Sequence, residues 1–297
     1  MKKIDMRYRP PIPSIVRGGL YNENKEHFAP KFFGGMRDES AIKKDLDMAI
    51  ADMEKHEIIG FIATRRWGRE DANADAAKII TEMPERFIGS VGLDLHDIDA
   101  VMKDIDTYVV NGPFIGVNLE PGLPAPDHQD ALMYIDDERI FPIYEKCQEL
   151  NLPVSITFGG PLEQGGIDKD PMRVHKVLKT FPKMRLALTH AAWPMFGTMV
   201  GLVAAFPNLF IGMDSYLMLP GWRDYVDAAN YLCQDQLMFG TSYPLCSVKF
   251  AIDFYEKAGF RPDIMHKIYY QNAERFLGLV DFDLERQPSI GELTKVL

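Results

Sequence analysis

The sequence predicts an α/β fold, a (β/α)8 TIM barrel, and three observations predict it. Short, nearly continuous apolar runs alternate with longer amphipathic segments, as parallel strands covered on both faces require. Eight such units fill about 280 of the 297 residues at about 35 residues each, close to the ~250 residues of such a barrel plus loops. A doubly wound open sheet usually carries a Gly-rich phosphate loop after its first strand. Here Tyr8 is followed by Arg-Pro-Pro.

The predicted strands, in order, are Ile4–Tyr8, Ile58–Thr64, Phe87–Leu95, Phe114–Leu119, Pro153–Phe158, Leu186–Thr189, Leu209–Met213 and Leu237–Gly240. Between them, Asp38-Glu-Ser opens a helix running to about Lys55, with Ile42, Leu46, Ile50 and Met53 on one face. Val101, Ile105 and Val109 mark a helix over Asp97–Val110, and Ile140, Ile143, Tyr144 and Cys147 mark one over Asp137–Asn151. Arg223–Cys233 and Val248–Lys257 behave alike. No break divides the chain, so residues 1–297 read as one domain with 280–297 as a C-terminal tail. Residues 10–37 are long for a βα connection of ~2–6 residues. Their Pro, Gly and aromatic content predicts a loop over the barrel mouth.

Composition narrows the function. The chain is 46% hydrophobic and 26% charged, which excludes disorder, collagen and coiled coil. Its 33 basic and 43 acidic residues give a net charge of −10, which repels phosphate backbones, so no nucleic-acid partner is expected. Cys147, Cys233 and Cys246 share no metal or redox spacing, and three cysteines build no disulfide framework. With no apolar segment of signal-peptide type at the N-terminus, this predicts a cytoplasmic protein. The uncharged stretch between His190 and Asp214 is broken by Pro194, Pro207 and Asn208 and reads as strand, helix, turn and strand rather than a membrane span.

In a barrel the active site lies at the C-terminal ends of the strands. The polar residues there are Asp5, Arg7 and Arg9; then Arg65, Arg66 and Trp67; Asp94 and His96; Asn118 and Glu120; Thr157; His190; Asp214, Ser215 and Tyr216; and Ser242 and Tyr243. Arg7 and Arg9 fall on one side of the chain at period two. Buried guanidiniums need partners. Either they pair structurally with Glu120 and Asp214, or their planar forks bind a substrate carboxylate. His190 is either a packed strand-end residue or an acid–base group.

Several segments carry a family resemblance: Ile4-Asp5, Met133-Tyr-Ile-Asp-Asp with Pro142-Ile-Tyr, Leu152-Pro-Val, Thr189-His-Ala-Ala-Trp-Pro, Phe239-Gly-Thr-Ser-Tyr-Pro, and Lys267-Ile with Asn272-Ala-Glu-Arg-Phe-Leu-Gly-Leu. Over about residues 3 to 279 the chain resembles the amidohydrolase-related group of the amidohydrolase superfamily. That group contains aminocarboxymuconate semialdehyde decarboxylases, aromatic-acid decarboxylases, hydratases and lactonases. The resemblance implies the same barrel. It also implies a metal site, with His-x-His on the first strand, a histidine on each of strands five and six, and an aspartate on strand eight. This chain has Arg7 and Arg9, Thr157, His190 and Ser242 at those places. Of the five family ligand positions only His190 matches.

Arginine stays protonated and cannot ligate, and zinc or manganese needs about three imidazole or carboxylate donors. The expectation is therefore an enzyme without the usual metal, with zinc or manganese on a rebuilt site of Glu120, His190 and Asp214 as the alternative. His190, Glu120 and Asp214 are the expected catalytic residues. Arg7, Arg9, Thr157, Tyr216 and Ser242 are the expected substrate contacts. The expected partner is a small carboxylated ring or lactone, acted on by hydrolysis or decarboxylation. A non-catalytic barrel that binds a small acid is the further alternative. The family's habit and the aromatics of residues 10–37 suggest a homo-dimer or tetramer.

Overall fold

The structure, a computed structural model, describes residues 1–22, 37–64, 71–121, 133–160 and 170–280. Eight parallel strands follow one another around the sheet in chain order: β1 Lys3–Asp5, β2 Ile58–Ala63, β3 Phe87–Gly92, β4 Gly116–Leu119, β5 Val154–Thr157, β6 Leu186–Thr189, β7 Leu209–Gly212 and β8 Leu237–Met238. β1 and β8 share no ladder. They meet through one backbone bond, Met6 N to Phe239 O (3.0 Å), and through the Asp5 carboxylate, which accepts from Thr241 N (2.9 Å) and from Thr241 Oγ1. Burial pushes the Asp5 carboxyl up to about 6, against the hydrogen bonds from Thr241 and from Arg7 N that pull it down.

Each strand's side chains alternate between two environments. Val117, Leu119, Val154, Ile156, Leu186, Leu188, Leu209 and Ile211 pack in one cluster with helix residues such as Ile79, Val101, Ile143 and Val177. The intervening positions are small or polar: Ser90, Asn118, Ser155, Thr157, Ala187 and Thr189. Ser155 Oγ donates to Asn118 Oδ1 at 2.8 Å, and Asn118 Nδ2 donates to Thr64 O at 3.0 Å. At one end the interior is apolar, with Ile4, Phe61, Phe210 and Met238 packed on Ala273, Phe276 and Leu277 of the last helix, Asn272–Leu277.

Most predicted strands end earlier than the apolar runs suggested. β1 stops at Asp5, so Arg7 and Arg9 lie in the turn beyond it rather than on the strand, and β8 is two residues long. The helix expected from Asp38 is two helices, Glu39–Lys43 and Leu46–His56. Lys44 breaks it with φ 56°, and Asp45 caps the second helix by accepting from Met48 N at 2.9 Å. Ile98–Ile105 continues as a π-turn over Asp106–Val110, and Glu138–Ile140 is a 3₁₀ turn before Phe141–Glu149. Helices Ala72–Glu82, Pro171–Thr180 and Asn272–Leu277 add to those predicted.

Part of the expected loop over the mouth, residues 10–37, carries a short helix, Pro13–Arg17, docked on the helix Ala72–Glu82 through Ser14 N to Asp75 Oδ2 at 2.7 Å. Residues 23–36 of that loop, the tail beyond 280, and Arg65, Arg66 and Trp67 lie outside the described residues. Among the described residues no helix is long and apolar enough to cross a membrane. The three cysteines are free and buried, and burial pushes each thiol up to about 12.

Candidate active site

The ends of β6, β7 and β8 deliver three residues in the left-handed region of backbone space: His190 (φ 63°), Asp214 (φ 42°) and Ser242 (φ 65°). Ala191 (φ 48°) and Ala192 (φ 59°) extend the same conformation after His190. Such a backbone costs about 1–3 kcal/mol per residue, so the surrounding structure must hold it in place. Here the holds are visible. Ala192 N donates to Phe158 O (3.0 Å), Gly160 N donates to Trp193 O (2.9 Å), and the Tyr225 hydroxyl donates to Ala191 O. Gly159 (φ 118°) makes the approach possible, because a Cβ there would lie 2.9 Å from Trp193 N.

His190 Nδ1 lies 2.8 Å from Asp214 Oδ2, and His190 N donates to the same oxygen at 3.3 Å. Asp214 Oδ1 accepts from Tyr216 N at 3.1 Å. Asp214 is buried, which by itself raises its pKa, but the His190 and Arg7 charges and hydrogen bonds outweigh that and hold it below its ordinary value. Burial is the main cause that holds His190 below 6.5. Asp214 opposes this, while Arg7 and Arg9 add to it. The network therefore assigns a neutral imidazole that donates from Nδ1 to Asp214 and keeps a lone pair on Nε2.

That lone pair meets Arg7. Arg7 Nη2 stands 3.4 Å from His190 Nε2 and donates to Thr157 Oγ1 at 3.2 Å. Thr157 Oγ1 in turn donates to Glu120 Oε1 at 2.7 Å. A continuous polar chain thus runs Glu120–Thr157–Arg7–His190–Asp214 across the interior of the barrel. Tyr216 packs its ring on the imidazole, with centroids 4.1 Å apart, and Trp193 packs edge-on to Tyr216 at 6.0 Å.

The structure therefore brings together Arg7, Glu120, Thr157, His190, Asp214 and Tyr216. Ser242, an expected substrate contact, accepts from Ser215 Oγ at 2.8 Å, tying the loop after β8 to the loop after β7. Asp5 and Asp94 serve their own turns, Asp5 through Thr241 and Asp94 through His96 N at 3.2 Å. Gly240, at the end of the predicted eighth strand, is not among the expected site residues. A Cβ there would meet Asp214 Cβ at 3.1 Å and Arg7 Cβ at 3.4 Å, so Gly240 lets the dyad and the guanidinium share one floor. Gly240→Ala is expected to cost about 1–3 kcal/mol by overpacking, read as a lower Tm, together with reduced turnover. Unchanged values for both would show the floor to be loose.

A divalent metal fits these residues poorly. The nitrogen of His190 that would face a metal faces a guanidinium that stays protonated. Among the described residues no three His, Cys, Asp or Glu side chains form a group that could hold a metal ion, and the trio Glu120, His190 and Asp214 is no exception.

The profile of a family described as amidohydrolase matches residues 9–279. An uncharacterized TIM-barrel protein from Bordetella bronchiseptica superposes with a TM-score of 0.82 at 30% identity, covering 94% of this chain and 99% of that one. A 2,6-dihydroxybenzoate decarboxylase from Rhizobium superposes at 0.71 and 15% identity, with coverage of 94% and 99%. A dihydroxybenzoic acid decarboxylase from Polaromonas, solved with bound manganese and 2-nitroresorcinol, superposes at 0.66 and 15% identity, with coverage of 94% and 97%. No curated protein matches the chain.

Proposed function

The chain belongs to the amidohydrolase family, and on that premise we propose that it is an enzyme hydrolysing a small carboxylated ring or lactone, with Arg7 in the electrostatic role that the family gives to a metal. One observation carries the reading. The Arg7 guanidinium sits against the lone-pair nitrogen of His190, whose other nitrogen is fixed by Asp214.

The geometry divides the labour. A carbonyl oxygen that accepts from Arg7 Nη2 brings its carbon beside His190 Nε2. A water between them gives its proton to Nε2, and its oxygen bonds to the carbonyl carbon. The developing oxyanion rests against the guanidinium, in a site dry enough to strengthen that attraction. When the ring C–O bond breaks, the imidazolium returns the proton to the leaving oxygen. Asp214 holds the tautomer and stabilises the imidazolium. Glu120, through Thr157, holds the guanidinium in its plane. Arg9, whose charge also reaches His190, is the anchor for the substrate carboxylate.

The decarboxylase neighbours supply a second reading, in which the carboxylate leaves as carbon dioxide and His190 protonates the carbon. A carboxylate forked by a guanidinium is stabilised in its ground state, which favours hydrolysis here. Proton balance separates the two, since lactone hydrolysis releases a proton at neutral pH and decarboxylation consumes one. A panel of carboxylated lactones and hydroxybenzoates in weakly buffered indicator is expected to acidify with a lactone. Alkalinisation with evolved carbon dioxide would replace this reading with the second. No turnover of any member would overturn both.

Metal content gives an independent check. Purified enzyme is expected to carry well under one equivalent of zinc or manganese by elemental analysis, and a chelator should leave turnover unchanged. Stoichiometric metal, with activity lost to the chelator and restored by the ion, would establish a rebuilt metal site instead.

A further inference from the structure

Two loops carry the His190–Asp214 dyad, and they are tied to each other away from it. His190 opens the loop after β6. Asp214 opens the 3₁₀ turn Asp214–Met218 after β7, and the chain runs on from there into the helix Trp222–Tyr231. From that helix the Tyr225 hydroxyl reaches back to the first loop and donates to Ala191 O. Trp193 Nε1, on the first loop, donates to Pro220 O of the second at 2.9 Å. Phe196 packs edge-on to the Tyr225 ring at 6.3 Å, against Gly221 (φ 90°), where a Cβ would run into the Phe196 ring.

Ala191 is the middle one of three consecutive left-handed residues. The carbonyls on either side of it are met within the loop, His190 O by Trp193 N at 2.9 Å and Ala192 O by Met195 N at 2.8 Å. The Ala191 carbonyl is met instead by the phenol, and both residues are buried. A buried carbonyl that loses its donor keeps its desolvation cost, so this bond holds a backbone conformation that is otherwise disfavoured. Burial pushes the Tyr225 phenol above its ordinary pKa, so it stays a donor through neutral pH.

We infer that Tyr225 is a positioning residue for His190: its bond to Ala191 O locks the turn from which the imidazole meets Asp214, and the Trp193 indole reinforces that lock from the rim. If the turn relaxes, the strain passes to His190, and its ring moves off both Asp214 Oδ2 and the Arg7 guanidinium. That the dyad reacts rests on the hydrolase reading above. The hold on its geometry can be read without a substrate.

Tyr225→Phe tests this, because it removes one hydroxyl and keeps the ring. Tyr144→Phe is the matched control. Tyr144 is also buried and also donates to a backbone carbonyl, Ile135 O at 2.9 Å, but it belongs to neither loop. Both variants are expected to lower Tm by a similar few degrees. Only Tyr225→Phe is expected to lower kcat, by about tenfold with KM within about twofold, measured well below either Tm. It should also speed amide exchange at Ala192 and Trp193 by about tenfold. The third readout is the downfield proton resonance of His190 Nδ1–H, identified by its loss in His190→Gln. It should broaden in Tyr225→Phe and stay sharp in Tyr144→Phe. Trp193→Phe should move the same readouts in the same direction but less, because water competes for its exposed bond. If Tyr225→Phe leaves the resonance sharp and the exchange unchanged, the phenol does not hold the dyad and the proposal falls. If exchange quickens while kcat stays within about twofold, the bond serves the fold alone and the positioning role falls. If Tyr144→Phe lowers kcat as much, the loss belongs to stability and the role falls too. A resonance absent from the unaltered protein would mean that the dyad is not fixed, with the same consequence. If no lactone or acid is turned over, the hydrolase reading fails, while the resonance and the exchange still decide the part played by Tyr225.

Discussion

His190→Gln is expected to lower kcat by about 10³- to 10⁴-fold while the barrel stays folded, since glutamine keeps an amide donor for Asp214 but has no basic nitrogen for the reacting proton. Asp214→Asn should fall nearly as far, because Asp214 fixes the tautomer through the 2.8 Å contact. The pH profile gives the second readout. Burial first, then Arg7 and Arg9, hold His190 below 6.5. The acid limb of kcat/KM should therefore lie below 6.5, with the enzyme in its basic, active form throughout neutral pH. The same direction has a stability consequence. A histidine with a lowered folded pKa binds fewer protons folded than unfolded, so stability drops as pH falls through 6.5. Asp214, itself held low, adds a further loss once pH falls through its ordinary unfolded value near 3.8. Full turnover in His190→Gln, or an acid limb above 6.5 that Asp214→Asn leaves in place, would remove the dyad from the chemistry.

Arg7→Lys should lower kcat by roughly ten- to a hundredfold, with a far smaller change in KM. Lysine keeps the charge but loses the planar fork that reaches Thr157 and His190 together. Charge-assisted hydrogen bonds of ~1.5–3 kcal/mol set that range. Arg9→Lys should show the converse, raising KM for the acid more than it lowers kcat, if Arg9 anchors the substrate carboxylate as proposed. Thermal midpoints measured on both variants decide between function and scaffold. If Arg7→Lys lowers Tm steeply and leaves kcat intact, the guanidinium is a structural partner of the Thr157–Glu120 pair and the oxyanion role is lost.

The fold was legible because its signal is local and repeated. Runs such as Leu186–Thr189 and Leu209–Gly212 are apolar over their length, and the polar residues that interrupt them fall at strand ends. Helix boundaries were less legible. The apolar face from Ile42 to Met53 continues through Lys44, although the chain kinks there; the kink comes from the cap that Asp45 gives Met48 N, which periodicity does not register. Within the site, the loss of four family ligand positions was plain in the residues themselves, as was the convergence of Arg7, Arg9, Glu120, His190 and Asp214 at the strand ends. What each of them touches was not, because those contacts join residues 24 to 183 positions apart. Ser242 shows the same: its place at a strand end is legible, but the left-handed turn at φ 65° that also brings its hydroxyl within 2.8 Å of Ser215 Oγ is not.

The sequence by itself determined the barrel, its family resemblance and the departure from the family's metal ligands, since these depend on residue type and on spacing along the chain. Only the tertiary structure decided that the guanidinium of Arg7 faces the lone pair of His190, and that Gly240 leaves room for both beside Asp214. The physical reason is that electrostatic pairing and desolvation depend on distance through the folded interior. Closing β1 on β8 through Met6, Asp5 and Thr241 sets those distances, and no local pattern in the chain encodes them.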